Sequence, residues 1–526
     1  MPTVAPQFLR SRIGKVCVPI IGATPAEMLE KATAVVKETP FLEFRLDYLE
    51  KPLLALPKLK HFLSDNTAIT AIATCRRAAN GGKFSGNLAA EMEILSKAGT
   101  SGFHIVDLEL ESAESLKKGE LQKLRDTGIA LIVSHHDFAA TKDLDGIFKR
   151  IEPFKPDFIK IVPTAKTLTD NVTLMRFIER MDDHSNIVGV CMGDAGIISR
   201  VLGLRAGSAF TFAAATAGEE TAPGQIAART LIETYRIDQV DAATKVYGVA
   251  GNPIRSSLSP IMMNTAFRRE TVNAVYLALQ ANKLSDLLKL VHEIPIQGLS
   301  VTMPLKQEIM AHLEKTDPLS AKIGACNTVL RQDGKLYGFN TDVAGITGPI
   351  EKRMSLRGAK ALVLGAGGAA RAAVFGMRDK GAEVFILNRT AETAQKLAKQ
   401  SGSKAIKKDA LAKTTFDIIV NATPIGMAGV KGAPILDAGD LNTKLVFDLV
   451  YNPLETPLLR LARQQSIPII TGIEMFVQQG ARQFEIFTGK PAPEEEMLRV
   501  VIHALRQQAE SASETPAPAA KTKKAS

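Results

Sequence analysis

The sequence predicts an α/β chain in three parts: a parallel (β/α)8 TIM-type barrel, a smaller α/β lobe, and a Rossmann-type lobe that binds a dinucleotide. Three observations predict it. Eight short apolar runs alternate with amphipathic segments between residues 15 and 237. A fresh strand-like run opens at Lys245, after the polar link 238–244. An apolar run at 359–364 leads into Gly365-Ala366-Gly367-Gly368-Ala369-Ala370 and then a helical pattern, the strand–turn–helix context a dinucleotide turn needs. With 526 residues the chain has length for two or three full cores.

The predicted barrel strands are 16–21, 41–46, 68–74, 103–110, 130–134, 158–162, 186–191 and 209–214. Helices are expected over 25–37, behind a Thr24 N-cap, and over 88–97, 168–180 and 224–235. The strand count alone fits an open doubly wound sheet as well as a closed barrel. The polar residues favour the barrel, because barrel chemistry gathers at the carboxyl ends of the strands. Those ends carry Glu43, Arg45 and Asp47, then Arg76, His135 and His136, Lys160, Arg200, Thr221 and Gln225.

Lys160 interrupts the apolar run 158–162. Apolar surroundings would deny its charged form solvation and free a nucleophilic amine. A ketone condensed with such an amine gives an imine that acidifies the adjacent carbon. A histidine can take that proton and then protonate a departing hydroxyl, while arginines at the rim hold a carboxylate through paired hydrogen bonds. Strand alternation sends His135 and His136 to opposite faces, and spacing does not choose between them.

In the second half a strand at 245–249 precedes a Gly/Pro/Ser loop at 251–260. Pro260 is expected as the first residue of a helix capped by Ser259, with Ser257 and Ser259 as hydroxyls for an anionic carboxylate. Lys306 follows a strand and is read with Asp342: an ammonium shared with a carboxylate can bridge an alcohol and ease its proton transfer. The strand 383–387 ends in Asn388-Arg389-Thr390, with no acid to grip a ribose 2′-hydroxyl. A cation and a hydroxyl there favour a 2′-phosphate, hence NADP over NAD. Strands at 417–420, 445–447 and 467–470 complete an open parallel sheet.

Composition sets outer limits. Hydrophobic content of 45% and charged content of 23% are those of a soluble globular protein. No apolar stretch reaches bilayer-spanning length and the start lacks a signal core, so a cytoplasmic protein without a membrane partner is expected. The four cysteines are dispersed with no CxxC pair, which argues against a disulfide framework or a zinc site. A net charge of +10 raises nucleic acid as a partner, but no nucleic-acid-binding signature is present. Anionic small substrates account for the arginines. Segment 511–526, rich in Ala, Pro, Ser and Lys, is expected to be a disordered tail.

Glu43-Phe44-Arg45, Ser134-His135-His136-Asp137-Phe138, Lys160, Ser199-Arg200 and Ala222-Pro223-Gly224-Gln225 together resemble the type I 3-dehydroquinate dehydratases, over about residues 15–237. The resemblance implies Lys160 as imine former and His136 as general acid/base. It implies Glu43, Arg45, Arg76, Arg200, Thr221 and Gln225 as contacts of dehydroquinate. One position departs: where the family has a glutamate that orients the catalytic histidine, this chain has Asn80, just before Gly81-Gly82. The expectation is a His136 of altered pKa, or a borrowed carboxylate such as Glu43.

Gly251-Asn252-Pro253 with Ser257 and Ser259, Val301-Thr302-Met303-Pro304-Leu305-Lys306, Gly324-Ala325-Cys326-Asn327-Thr328 and Asn340-Thr341-Asp342 resemble the shikimate dehydrogenases, over about 245–507. So do Asn421-Ala422-Thr423-Pro424, Asp448-Leu449-Val450-Tyr451-Asn452-Pro453 and the run 472–479. This resemblance implies Lys306 and Asp342 in catalysis, and Ser257, Ser259, Thr302, Asn327, Tyr451 and Gln479 in shikimate binding. It implies Gly365, Ala366, Gly367, Gly368, Ala369, Asn388, Arg389, Thr390, Leu449 and Gly472 around NADP(H).

The organisation expected is a dehydratase barrel over 1–238, a substrate lobe over 245–345, an NADP lobe over 346–475, returning helices over 476–507 and the tail. Together the resemblances imply a metal-free bifunctional enzyme, monomer or homodimer. It would convert 3-dehydroquinate to 3-dehydroshikimate, and reduce that with NADPH to shikimate. Two rival readings stand beside it: a catabolic quinate/shikimate dehydrogenase fusion using NAD, and a metabolite-sensing regulator without turnover. Retention of Lys160, His136, Lys306 and Asp342 argues against the regulator.

Overall fold

In the computed structural model the described residues are 9, 12–181, 186–254, 257–430, 432 and 435–514. The chain divides into two compact units, Met1–Lys245 with Leu279–Pro295, and Val246–Ala278 with Ile296–Ser526.

The first unit carries β1 (Val16–Ile20), β2 (Phe41–Arg45), β3 (Thr70–Thr74), β4 (Ile105–Glu109), β5 (Ala130–His136), β6 (Phe158–Val162), β7 (Ile187–Gly189) and β8 (Thr211–Phe212). They lie side by side in chain order from β1 to β7, and β8 pairs in parallel with β1. The Ala209 N–H donates to the Ile187 carbonyl at 2.7 Å, which ties the entry to β8 onto β7 and closes the ring. Inward side chains near the amino ends, among them Phe41, Ile72, Ile132, Phe158, Val188 and Phe210, form an apolar floor. Phe210 meets Phe41 and Phe158 edge-on, with ring centroids 4.9 and 5.8 Å away. Charged inward side chains lie toward the carboxyl ends, above that floor.

One local expectation changes. The helix expected over 224–235 shrinks to a wide turn at Thr230–Thr234. Gly224 has a φ of +78°, and a Cβ there would lie 2.2 Å from the Gly193 carbonyl oxygen, so this residue makes a tight turn and not a helix start. Helix Leu284–Glu293 is grouped by its contacts with the compact unit that holds the barrel. Its Asp286 accepts from the Leu168 N–H at 2.9 Å and from Thr169 Oγ1 at 3.3 Å, placing a carboxylate on the free amides that open helix Leu168–Glu179.

The second unit holds two six-stranded sheets. The first has β9 (Lys245–Gly251), β10 (Ala274–Gln280), β11 (Ile296–Val301), β12 (Lys315–Thr316), β13 (Thr328–Gln332) and β14 (Lys335–Phe339), in the order β10-β9-β11-β13-β14-β12. Helices Ser259–Arg269, Gly472–Thr488 and Glu494–Glu514 cover it through Met262, Phe267, Phe476, Phe484, Phe487 and Met497. The helix start is one residue off the expected cap: Leu258 takes the N-cap position, and the hydroxyl accepting from the Ser259 N–H is that of Ser257, at 3.2 Å.

The second sheet has β15 (Lys360–Leu364), β16 (Glu383–Leu387), β17 (Lys404–Ala405), β18 (Ile418–Asn421), β19 (Val446–Asp448) and β20 (Ile469–Ile470). All pairs are parallel, in the order β17-β16-β15-β18-β19-β20. Chain order reverses between β15 and β18, where open α/β sheets leave a ligand crevice. The last helix runs to Glu514, into the segment expected as tail from 511; residues 515–526 lie outside the described residues. Among the described residues no helix is long and apolar enough to cross a membrane.

Candidate active sites

The carboxyl ends of the barrel strands surround a cavity lined by Glu43, Arg45, Arg76, His136, Lys160, Arg200, Thr221 and Gln225. All the dehydratase residues named from the sequence therefore face one space. His135 is not in that lining: the alternation of β5 settles the choice that spacing left open.

Lys160 is buried, but its surroundings differ from the expectation. Its Nζ lies 2.8 Å from Asp107 Oδ2, 3.7 Å from Glu43 Oε1 and 4.1 Å above the Phe212 ring. The neighbours in sequence, Ile159 and Ile161, point to the other side of the strand, so the apolar run around Lys160 says nothing about what its amine meets. The amine sits among carboxylates, not in an apolar pocket. Burial pushes the Asp107 carboxyl up, but Lys160 and Arg76 outweigh it and hold that carboxyl below the usual range.

Arg45 is fixed by a two-pronged pair with Asp47, at 2.9 and 2.7 Å. Arg76 meets Glu109 at 3.1 Å through Nε, and its buried NH2 has no hydrogen-bond partner. Arg200 is 1% exposed; it donates to the Phe212 and Pro223 carbonyls at 3.1 and 3.4 Å and leaves Nε without a partner. Among the described residues no carboxylate pairs with it, and burial pulls its pKa down to about 10. Thr221 donates through N and Oγ1 to Gln225 Oε1 at 2.8 and 3.2 Å, so the last loop presents these two side chains as one polar edge.

His136 Nδ1 lies 3.0 Å from both carboxylate oxygens of Glu109. Glu43, the carboxylate expected to be borrowed, instead accepts from Thr74 Oγ1 at 2.7 Å and faces Lys160. Glu109 and Asp107 were missed in the sequence, although a signal was there. The fourth strand carries two acids two residues apart, and a period of two puts both on the inward face. Burial lowers the His136 pKa, Arg76 adds to that, and Glu109 opposes them. Asn80 Nδ2 reaches Glu111 at 3.3 Å, and Glu111 pairs with His135 at 3.0 Å, raising the His135 pKa. Ligand atoms of Glu109, Glu111 and His135 lie within 4.8 Å of one another, but each carboxylate already serves a histidine.

In the second unit Lys306 Nζ is 2.5 Å from Asp342 Oδ2, and Asn327 Nδ2 donates to Asp342 Oδ1 at 2.7 Å. Gln479 Oε1, from helix Gly472–Thr488, reaches Asn327 Nδ2 at 3.5 Å. A buried chain runs behind this group. Tyr276 OH donates to Ser300 Oγ at 2.5 Å, Ser300 to Gln483 Oε1 at 2.7 Å, and Gln483 Nε2 to the Asn327 carbonyl at 3.2 Å. Gln483 was also missed; it stands four residues after Gln479, on the same helix face. Thr302 lies against Gly251, where a Cβ would come within 2.3 Å of its Cγ2. Asp448 accepts from Asn421 Nδ2, the Val450 N–H and Thr456 Oγ1 at 2.9, 3.0 and 2.6 Å, fixing the loop that carries Leu449 and Tyr451. Tyr451 stacks on Phe476 at 4.6 Å.

The turn after β15 fits a dinucleotide. Gly365 has a φ of +111°, and a Cβ on Gly367 would meet nothing within 4 Å, which leaves room for phosphates at the start of helix Gly368–Asp379. A Cβ on Gly368 would stand 3.5 Å from the Lys306 side chain, so the turn and the lysine share one space. Asn388 Nδ2 donates to the Thr390 carbonyl at 3.0 Å, ordering the loop after β16 around Arg389. Gly472 packs where a Cβ would lie 2.4 Å from the Val450 carbonyl oxygen, bringing that helix start against the 449–450 backbone.

A barrel with a buried lysine beside a carboxylate-held histidine, joined to a dinucleotide turn beside a lysine–aspartate pair, defines a fusion of a lyase with an oxidoreductase. Family models match accordingly: Type I 3-dehydroquinase over residues 16–242 and Shikimate dehydrogenase substrate binding domain over 249–329. Shikimate / quinate 5-dehydrogenase matches over 350–449 and Shikimate 5′-dehydrogenase C-terminal domain over 472–502. The chain is 33% identical over 509 residues to the chloroplastic bifunctional 3-dehydroquinate dehydratase/shikimate dehydrogenase of Arabidopsis thaliana, covering 91% of this chain and 83% of that protein. It is 38% identical over 275 residues to the shikimate dehydrogenase (NADP(+)) of Pyrococcus furiosus, covering 51% of this chain and 99% of that one. A solved shikimate 5-dehydrogenase from Thermus thermophilus, in complex with NADP(H) and shikimate, is 35% identical, with 50% of this chain and 100% of that chain covered and a TM-score of 0.47. The chain belongs to the family of bifunctional 3-dehydroquinate dehydratase/shikimate dehydrogenases.

Proposed function

We propose that the barrel dehydrates 3-dehydroquinate to 3-dehydroshikimate and that the second unit reduces 3-dehydroshikimate to shikimate with NADPH. Arg200 carries the first assignment. A buried guanidinium without an acid partner is costly unless an anion completes it, and this one lines the same cavity as Lys160. A substrate carboxylate on Arg200, with Arg76 NH2, which lies 3.5 Å from Asp107 but has no hydrogen-bond partner, as a second donor, leaves the rest of a small ring to Lys160, His136, Glu43, Arg45, Thr221 and Gln225.

Lys160 Nζ adds to the substrate ketone, water leaves, and a protonated imine forms. Asp107 and Glu43 face that positive charge. With Nδ1 held by Glu109, His136 presents Nε2; it takes the proton from the carbon beside the imine and passes it to the departing hydroxyl. Hydrolysis of the imine releases the product.

In the second unit Lys306, paired with Asp342, delivers a proton to the carbonyl oxygen of dehydroshikimate. Bound NADPH supplies the hydride. Ser257, Ser259, Thr302, Asn327, Tyr451 and Gln479 would hold the substrate. Gly365, Ala366, Gly367, Gly368, Ala369, Leu449 and Gly472 would surround the cofactor, with Asn388, Arg389 and Thr390 on its 2′-phosphate. Four buried free cysteines suit a reducing compartment such as the cytoplasm.

Borohydride added with 3-dehydroquinate should fix the ligand's mass on the peptide containing Lys160, and an unlabelled peptide sinks the lyase assignment. Reduction with NADPH should outrun that with NADH, and oxidation of shikimate should outrun that of quinate. Reversal of both orders would establish the NAD-dependent fusion instead.

A further inference from the structure

We infer that Glu109 is the positioning residue of the dehydratase site, and that it replaces at a different place in the fold the carboxylate absent at position 80. The inference rests on the dehydratase reading above. Glu109, the last residue of β4, and Glu111, in the short helix Leu110–Glu114 that follows, sort the two histidines at the end of β5. Glu109 meets His136 Nδ1 at 3.0 Å, and Glu111 meets His135 Nδ1 at 3.0 Å. Asn80 belongs to the second pair, donating to Glu111 at 3.3 Å.

The geometry around Glu109 is that of a fixed support. It is 4% exposed. Its oxygens accept from the His136 backbone N–H and from Ser134 Oγ, each at 3.0 Å, and Oε2 is ion-paired with Arg76 Nε at 3.1 Å, besides the imidazole contact. One carboxylate thus holds both ends of the histidine it serves. Strand registry adds rigidity: Glu109 stands beside Ser134 in the β4–β5 pairing, whereas Asn80 lies in the short turn Ala78–Asn80. Sites built on strands hold geometry better than sites on loops. Glu109 is not in the cavity lining and stands behind the imidazole, so its role runs through His136.

The charges facing His136 make the role electrostatic as well. Arg76 follows β3, Lys160 comes from β6, Asp107 shares β4 and Glu43 comes from β2, with Asp107 and Glu43 turned to the Lys160 amine. Both cations oppose an imidazolium, as burial does; Glu109 is the group that favours it. When His136 accepts the substrate proton, Glu109 receives the positive charge at Nδ1.

The test uses the full-length chain. Dehydration by Glu109→Gln should lose on the order of 10²–10⁴-fold in kcat, the usual range for a disabled acid–base group, with KM within about threefold. The acid limb of its kcat/KM profile should move to lower pH, because the group that raises the His136 pKa has gone. Asn80→Glu should leave that limb where it is. An unmoved acid limb in Glu109→Gln, or a moved one in Asn80→Glu, overturns the inference. Loss of unmutated dehydratase activity would instead overturn the function. Should Glu109→Gln fail to fold, ¹⁵N spectra of the unaltered protein decide: neutral His136 is expected to carry its proton on Nδ1, and a bare Nδ1 overturns the inference equally.

Discussion

The barrel and the second unit each place a lysine beside an aspartate, at 2.8 Å in one and 2.5 Å in the other, and the surroundings make them different instruments. Lys160 has a side chain 4% exposed, ringed by Asp107, Glu43 and the Phe212 face. In the proposed dehydration its pairing is exchanged for a covalent bond to the substrate. Lys306 has a side chain 18% exposed, with Asp342 steadied by Asn327 and a glycine-rich turn beside its stem. It can keep its partner through the reaction. A nucleophile needs partners that will also accept an imine; a proton donor needs one partner and an open side. The chemistry follows from the second neighbour, not the first.

The largest expected effect breaks the two sites apart. Lys160→Met should abolish dehydration, a loss on the order of 10⁴-fold or more, and leave shikimate oxidation with NADP unchanged. Lys306→Met should do the reverse, at roughly 10²–10⁴-fold in kcat, because a displaced proton donor leaves binding and hydride transfer geometry in place. If either variant impaired both rates, the division of labour would be wrong. Arg200→Met should raise the KM for dehydroquinate about 10- to 100-fold, equivalent to one charge-assisted bond of about 1.5–3 kcal/mol, with kcat less affected. A KM within twofold of the parent would remove Arg200 from substrate binding.

A smaller effect sharpens the other side. Gly365→Ala forces a Cβ into a left-handed conformation, 3.1 Å from the Ala422 carbonyl oxygen. Strain of about 1–2 kcal/mol should appear as a roughly tenfold higher KM for NADP, with dehydration untouched. The smallest concerns His135, whose pKa Glu111 raises. Stability from that pair is present below the ordinary histidine pKa and is lost as pH rises through the higher folded value. His135→Asn should therefore lower the unfolding free energy measured in urea at pH 6 but not at pH 9, by less than about 1 kcal/mol, since the pair is partly exposed. An equal shift at both pH values would assign the effect to packing.

Much of the fold was legible because strand period and glycine turns are local. The eight barrel strands were placed within a few residues, and β15 to Gly368 reads directly as strand, turn and helix. The helix expected at 224–235 is cut back to Thr230–Thr234 because Gly224 answers to the Gly193 backbone across the barrel mouth, a contact no window of sequence contains. The site was legible where a residue lies at a strand end. Asp107 and Glu109 lie there too, but within the largely apolar run 103–110, where period-two alternation is what turns both acids inward.

Sequence by itself determined the order of parts, the types of reactive group and their places along each strand, because period-two alternation and turn chemistry act over a few residues. It also settled that position 80 has no charge to offer. Tertiary structure alone decided what each reactive group meets: that Lys160 stands among acids, that Arg200 has none among the described residues, and that His136 leans on Glu109. Those are distances between strands 25 or more residues apart in the chain, fixed by barrel closure and register, and electrostatic neighbourhoods depend on such distances and on little else.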